Sequence, residues 1–166
     1  MQRPTKTRPS RADKTHDAPA MRGYLPHYLS RLMNILNLRL MEHLRPLDLT
    51  MPQFRVMQVI DARQTASVGT LARDAVIEQS VVSRIVDQLE KRGYAKRAKR
   101  PGNARIVDVS LTKEGRAAYA SLMPLAHAIV DDAVSVLSPA ERNLLDEMLK
   151  RLFDHATTPR FPWLMS

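Results

Sequence analysis

The chain has 166 residues, with 26 Lys+Arg against 17 Asp+Glu, a formal charge of +9 and a pI near 10.3. Apolar residues make up 44%, enough for a buried core, while aromatics at 5% are too few for a surface that stacks single-stranded bases. The absence of cysteine excludes disulfides, thiolate metal sites, cysteine nucleophiles and thiol redox sensing together.

Residues 1–22 read as a flexible basic arm, with Pro4, Pro9 and Pro19, scattered charge and almost no large apolar side chain. No apolar stretch follows this basic start, and no run approaches the roughly 18 residues of a spanning helix. The expectation is a soluble, cytoplasmic protein with no membrane partner. From Leu25, leucines recur at three- and four-residue spacing through Leu29, Leu32, Leu36 and Leu40, which predicts an amphipathic helix ending near Pro46. Thr50 with Gln53 is a capping-box pattern and opens a second helix bearing Phe54, Met57 and Ile60 on one face. Small polar residues at 64–67 close it.

A short helix over about 69–75 and a turn at Val76-Ile77 lead into a helix from Glu78 or Gln79 to Arg92. Val82, Ile85, Val86 and Leu89 give this helix one clean apolar face. Gly93 falls where a left-handed residue ends a helix. The period then changes to two. Residues 94–99 and 105–111 alternate as strands, and Arg100-Pro101-Gly102-Asn103 is a turn signal between them. Thr112 caps a long helix to about Val136 that contains Pro124, and Ser138-Pro139-Ala140-Glu141 starts the last one. Phe161, Trp163 and Leu164 form an apolar tail without periodicity.

The fold class that follows is mainly α (α+β). Helix, short helix, helix and hairpin make a winged helix-turn-helix over residues 48–111. Residues 24–46 and 112–166 are left as a helical dimerisation region. The charge agrees with this topology. Residues 1–23 carry +4, and residues 91–105 carry seven basic residues and no acid, so the excess sits on the last helix end and the hairpin. The expected partner is double-stranded DNA. Glycines at 23, 69, 93, 102 and 115 form no phosphate-binding or nucleophile-elbow motif, so no enzyme is expected. His127 and Asp131 are an i,i+4 pair that fits a surface contact better than a metal site, and no metal or cofactor is expected.

The stretch from Leu49 to Gly115 resembles the MarR (multiple antibiotic resistance regulator) family. The resemblance lies in Leu49-Thr50-Met51-Pro52-Gln53-Phe54, Leu71-Ala72, the run Gln79 to Gly93, Arg97, the wing, and Leu111-Thr112-Lys113-Glu114-Gly115. It implies a homodimer that binds a pseudo-palindromic operator as a repressor and is released by a small ligand. A ligand-independent or architectural DNA-binding protein is the alternative. Two departures stand out: Val76 and Ile77 replace the small residue usual in the turn, and Asn103 stands where the family places an Asp that pairs with the wing arginine. The second leaves the wing less rigidly set and the Arg105 charge freer.

A helix entering the major groove presents its N-terminal side chains to base edges. Gln79 suits adenine, Val81 a thymine methyl, and Arg84 guanine or a phosphate, while Ser80 and Ser83 reach a base or a phosphate. Thr70 and Arg73 are phosphate candidates. Arg100, Asn103 and Arg105 belong to the wing, where the two arginines suit the minor groove or backbone. Tyr24, His27 and Arg31 share one face of the first helix and form a plausible carboxylate cradle, with Phe54 on its apolar side.

Overall fold

A computed structural model of the chain describes residues 24–157. The basic arm 1–22 and the tail residues Phe161, Trp163 and Leu164 lie outside the described residues. The chain divides into two units, residues 1–35 and 36–166. Helix α1 (Leu25–Leu44) begins in the first and ends in the second. Its leucine stripe is exposed at Leu25, Leu29 and Leu32, and only Leu40 and Leu44 are buried.

In the second unit a 3-10 turn at Arg45–Leu47, bent by Pro46, closes α1. Helix α2 (Met51–Arg63) starts on the full capping box: Thr50 Oγ1 accepts from Gln53 N at 3.4 Å, and Gln53 Oε1 accepts from Thr50 N at 2.9 Å. The small polar stretch after α2 holds a two-residue strand, β1 (Ala66–Ser67), which pairs antiparallel with a later strand through Ala66↔Val109. Two residues are too short for any periodic signal. Ser67 then caps α3 (Val68–Ala75) by accepting from Thr70 N at 3.2 Å.

Helix α4 (Gln79–Lys91) buries Val82, Ile85, Val86 and Leu89. Its cap is Glu78. Gly93 ends the helix at φ 72°, a backbone that glycine adopts without a Cβ penalty. Strands β2 (Ala95–Arg100) and β3 (Asn103–Leu111) form the hairpin, with Gly102 at φ 78° in its two-residue turn. The sheet order is β1-β3-β2. Val109 and Leu111 turn inward, as the alternation requires.

Helix α5 (Lys113–Ala133) is capped by Thr112, whose Oγ1 accepts from Gly115 N at 2.9 Å and donates to the Gly93 carbonyl at 2.5 Å. Gly115 is buried against the Tyr94 backbone so closely that any Cβ would overlap the Tyr94 carbonyl oxygen. This fixes the start of α5 to the turn that follows α4. Helix α6 (Pro139–Thr157) opens on Ser138 and Glu141, which satisfy each other's backbone N–H groups at 3.4 and 2.8 Å. The core joins Leu44, Met57, Ile60, Leu71, Leu89, Val109, Leu111 and Leu122, and α6 buries no residue.

Candidate nucleic-acid interface

Helices α3 and α4 with the β2–β3 wing make the helix-turn-helix and wing anticipated from sequence. Four buried apolar residues hold α4 down. Gln79, Ser80, Val81 and Arg84 stand exposed on its outer side, and Ser83 is half-buried. Gln79 lies near the start of α3: a Cβ at Gly69 would sit 3.8 Å from its Oε1, an ordinary van der Waals contact. Thr70 is half-buried with its hydroxyl 3.0 Å from Ser67 Oγ, while Arg73 is exposed and 3.5 Å from Asp74.

The turn before α4 puts Val76 at φ 54°, ψ 48°, exposed, with its N–H closing onto the Ala72 and Arg73 carbonyls. A β-branched residue is strained there, where glycine is not.

The orientation of α4 is set by polar contacts that the sequence pattern did not disclose. Gln53 is buried at 2% exposure. Beyond its capping role, its Nε2 donates to Gln88 Oε1 at 2.8 Å, and its Oε1 accepts from Arg92 Nη1 at 3.3 Å. Arg92 also pairs with Asp48 at 2.7 Å and donates to the Asp48 carbonyl. One capping residue thus ties the start of α2 to the far end of α4. The T-x-x-Q spacing signals the cap, but only packing brings Gln88 and Arg92 to it.

Arg97 makes a second tie. It reaches from β2 to Asp87 Oδ1 at 2.7 Å, to Glu90 and to the Ser83 carbonyl at 3.4 Å, and its own N–H donates to Glu90 Oε1 at 2.9 Å. Arg100 makes a two-pronged pair with Asp108 across the hairpin, at 2.8 and 2.7 Å. That bond holds the Asp108 carboxyl below the usual range and raises Arg100.

The basic stretch 91–105 therefore has two kinds of residue. Arg92, Arg97 and Arg100 answer carboxylates of the same chain. Lys91, Lys96 and Lys99 are exposed and have no ion pair among the described residues. The wing carries a charge pair across the hairpin, Arg100–Asp108. Asn103 is exposed at the wing tip, and the side chain of Arg105, within β3, lies outside the described residues.

Of the proposed cradle residues, Tyr24, His27 and Arg31 belong to the first unit and Phe54 to the second. Tyr24 and Arg31 are exposed and His27 is half-buried, with its ring edge-on to Tyr28 at 5.7 Å. Phe54 is a core residue at 5% exposure, packed against the Tyr119 ring at 5.7 Å. Tyr119 rather than Phe54 faces an open cleft of about 540 Å³ that also meets Asp61, Arg116, Met123 and His127. Burial, with the Asp61 charge nearby, pushes the Tyr119 phenol up.

Residues 49–107 match the model of the MarR family. An HTH-type transcriptional regulator of Bacillus cereus is 30% identical over 138 residues, covering 81% of this chain and 90% of its own. The chain belongs to the MarR family. Among solved structures, a mutant MarR from E. coli complexed with operator DNA is 26% identical, with a TM-score of 0.66, over 81% of this chain and 99% of its own. BpsR of Bordetella bronchiseptica, whose DNA binding is described as regulated by 6-hydroxynicotinic acid, is 25% identical, with a TM-score of 0.69, over 78% of this chain and 98% of its own. The protein is accordingly a MarR-family, DNA-binding transcriptional regulator with a winged helix fold. Among the described residues no helix is long and apolar enough to cross a membrane.

Proposed function

We propose that this MarR-family regulator is a homodimeric repressor that reads a pseudo-palindromic operator and is released by a small aromatic acid. The observation that carries the reading is the two-sided character of α4. One side is locked into the core by four apolar residues, while Gln79, Ser80, Val81 and Arg84 are presented outward. In this reading Gln79, Ser80, Val81, Ser83 and Arg84 meet bases or phosphates, and Thr70 and Arg73 meet the backbone. Arg100, Asn103 and Arg105 serve the wing. Residues 48–111 form the DNA-binding module.

A dimer spaces two such helices roughly 34 Å apart, one turn of DNA. The exposed apolar side chains of α6, among them Leu144, Met148, Leu149 and Leu152, support assignment of 24–46 and 112–166 to the dimer contact. For the effector, the regulation of BpsR by an aromatic acid supports the class, and Tyr24, His27 and Arg31 are the proposed carboxylate contacts. Phe54, in the second unit, packs on the Tyr119 ring.

The test is a duplex titration at several salt concentrations. A regulator prefers one sequence to random DNA by about a thousandfold or more, and Arg105→Ala flattens the salt slope by about one unit. Equal affinity for all duplexes overturns operator reading, and an unchanged slope removes Arg105. For the effector, thermal-shift screening with aromatic acids is expected to stabilise wild type but not Arg31→Ala. An equal response of both proteins removes the cradle.

A further inference from the structure

Glu78 and Ser80 flank Gln79 on the exposed side of α4. Ser80 Oγ donates its hydrogen to Glu78 Oε2, and the Val81 N–H donates to the same oxygen at 3.3 Å. A serine hydroxyl has one hydrogen and two lone pairs, and an ionised carboxylate has lone pairs only. The Ser80 hydroxyl hydrogen is thus committed, and with the Ser80 backbone N–H also bonded to the carboxylate, the two side chains have only lone pairs left to offer. The Ser80 hydrogen bonds keep the Glu78 carboxyl below its ordinary range, with the Arg84 charge helping, so it is ionised at neutral pH.

Phosphate oxygens have no hydrogen to donate, and the carboxylate repels them. In the major groove guanine O6 and N7, adenine N7 and thymine O4 are acceptors too, whereas cytosine N4 and adenine N6 donate. We propose that Glu78 and Ser80 form an acceptor-only pair that selects an exocyclic amino group, cytosine N4 or adenine N6, at one position of each half-site. The inference rests on α4 being the base-reading helix. It adds Glu78 as a specificity-determining residue and narrows Ser80 from base or phosphate to base alone.

The experiment uses the full chain and a pool of duplexes randomised across about two helical turns. Wild type, Ser80→Ala and Glu78→Ala each select from the pool. The wild-type consensus is then rebuilt with cytosine or adenine analogues that lack only the exocyclic amine. One position per half-site is expected at which wild type prefers cytosine or adenine and loses about 5- to 10-fold on amine deletion. Both variants lose that preference and that sensitivity. The analogue that matters tells cytosine from adenine. Glu78→Ala also binds random duplex more tightly than wild type, because a repelling charge is gone; damage to the fold would weaken it instead.

If Ser80→Ala weakens all duplexes equally, and a methylphosphonate at one site abolishes that loss, Ser80 serves a phosphate and the proposal is overturned. A wild-type motif whose amine deletions change nothing overturns this inference alone. A wild type that enriches no sequence overturns the base-reading premise with it.

Discussion

Helices α4 and α6 both space apolar residues at three and four. Val82, Ile85, Val86 and Leu89 of α4 are buried, whereas Leu144, Met148, Leu149, Leu152 and Phe153 of α6 are exposed. A periodic stripe states that a face wants covering and is silent on what covers it. For α4 the cover comes from α2, α3 and β2 of the same chain. For α6 nothing in the described chain supplies it, and a second subunit is the proposed cover.

The largest expected effect separates the two helices directly. Leu89→Ala should cost about 2–5 kcal/mol of folding stability, since it removes a fully buried side chain from a packed site. Leu152→Ala should change the unfolding of dilute monomer by less than about 0.5 kcal/mol, while weakening self-association in sedimentation. Urea melts at low and high protein concentration check both. Equal costs in monomer would erase the contrast, and a wild type that sediments as a monomer at micromolar concentration would remove the proposed second subunit.

A smaller effect sharpens how firmly α4 is held. Val76→Gly should relieve the left-handed strain before α4 and raise stability by about 1 kcal/mol, read as a higher Tm. An unchanged or lower Tm would mean that the turn carries no such strain.

The smallest effect concerns the wing. The Arg100 bond depresses the folded-state pKa of Asp108, so the pair adds stability above the ordinary carboxylate pKa of about 3.9 and loses it as pH falls through the lower folded value. Asp108→Asn lacks that increment at every pH. Its deficit against wild type should therefore be present at neutral pH and vanish under strong acid. A deficit that persists at the acid end would point to lost packing instead.

The local features were legible in the chain because they span three or four residues. Thr50 with Gln53, Thr112, Ser138 with Glu141, the turn at Pro101-Gly102 and the left-handed Gly93 all fall where their residue types dictate. The candidate interface was legible to the same extent: the outward residues of α4 follow from the buried ones by helical geometry, and the hairpin from the change of period. Other features were not. Strand β1 exists only because Ala66 and Ser67 meet Val109 and Asp108. Glu78 is not one of the usual capping residues, yet it caps α4 by accepting the Val81 N–H and takes the Ser80 hydrogen as well.

By itself the sequence determined the order of helices, their buried stripes, the wing and the clustering of positive charge on residues 91–105. Only the tertiary structure decided which of those charges are spoken for. Arg92 meets Asp48 across 44 residues, Arg97 meets a helix turned back upon it, and Arg100 meets Asp108 through the hairpin register. Caps and periodicity arise between neighbours along the chain, whose geometry the backbone supplies. Ion pairs depend on which side chains the folded sheet and helices bring within a few ångströms, and composition counts a paired arginine and an exposed lysine alike.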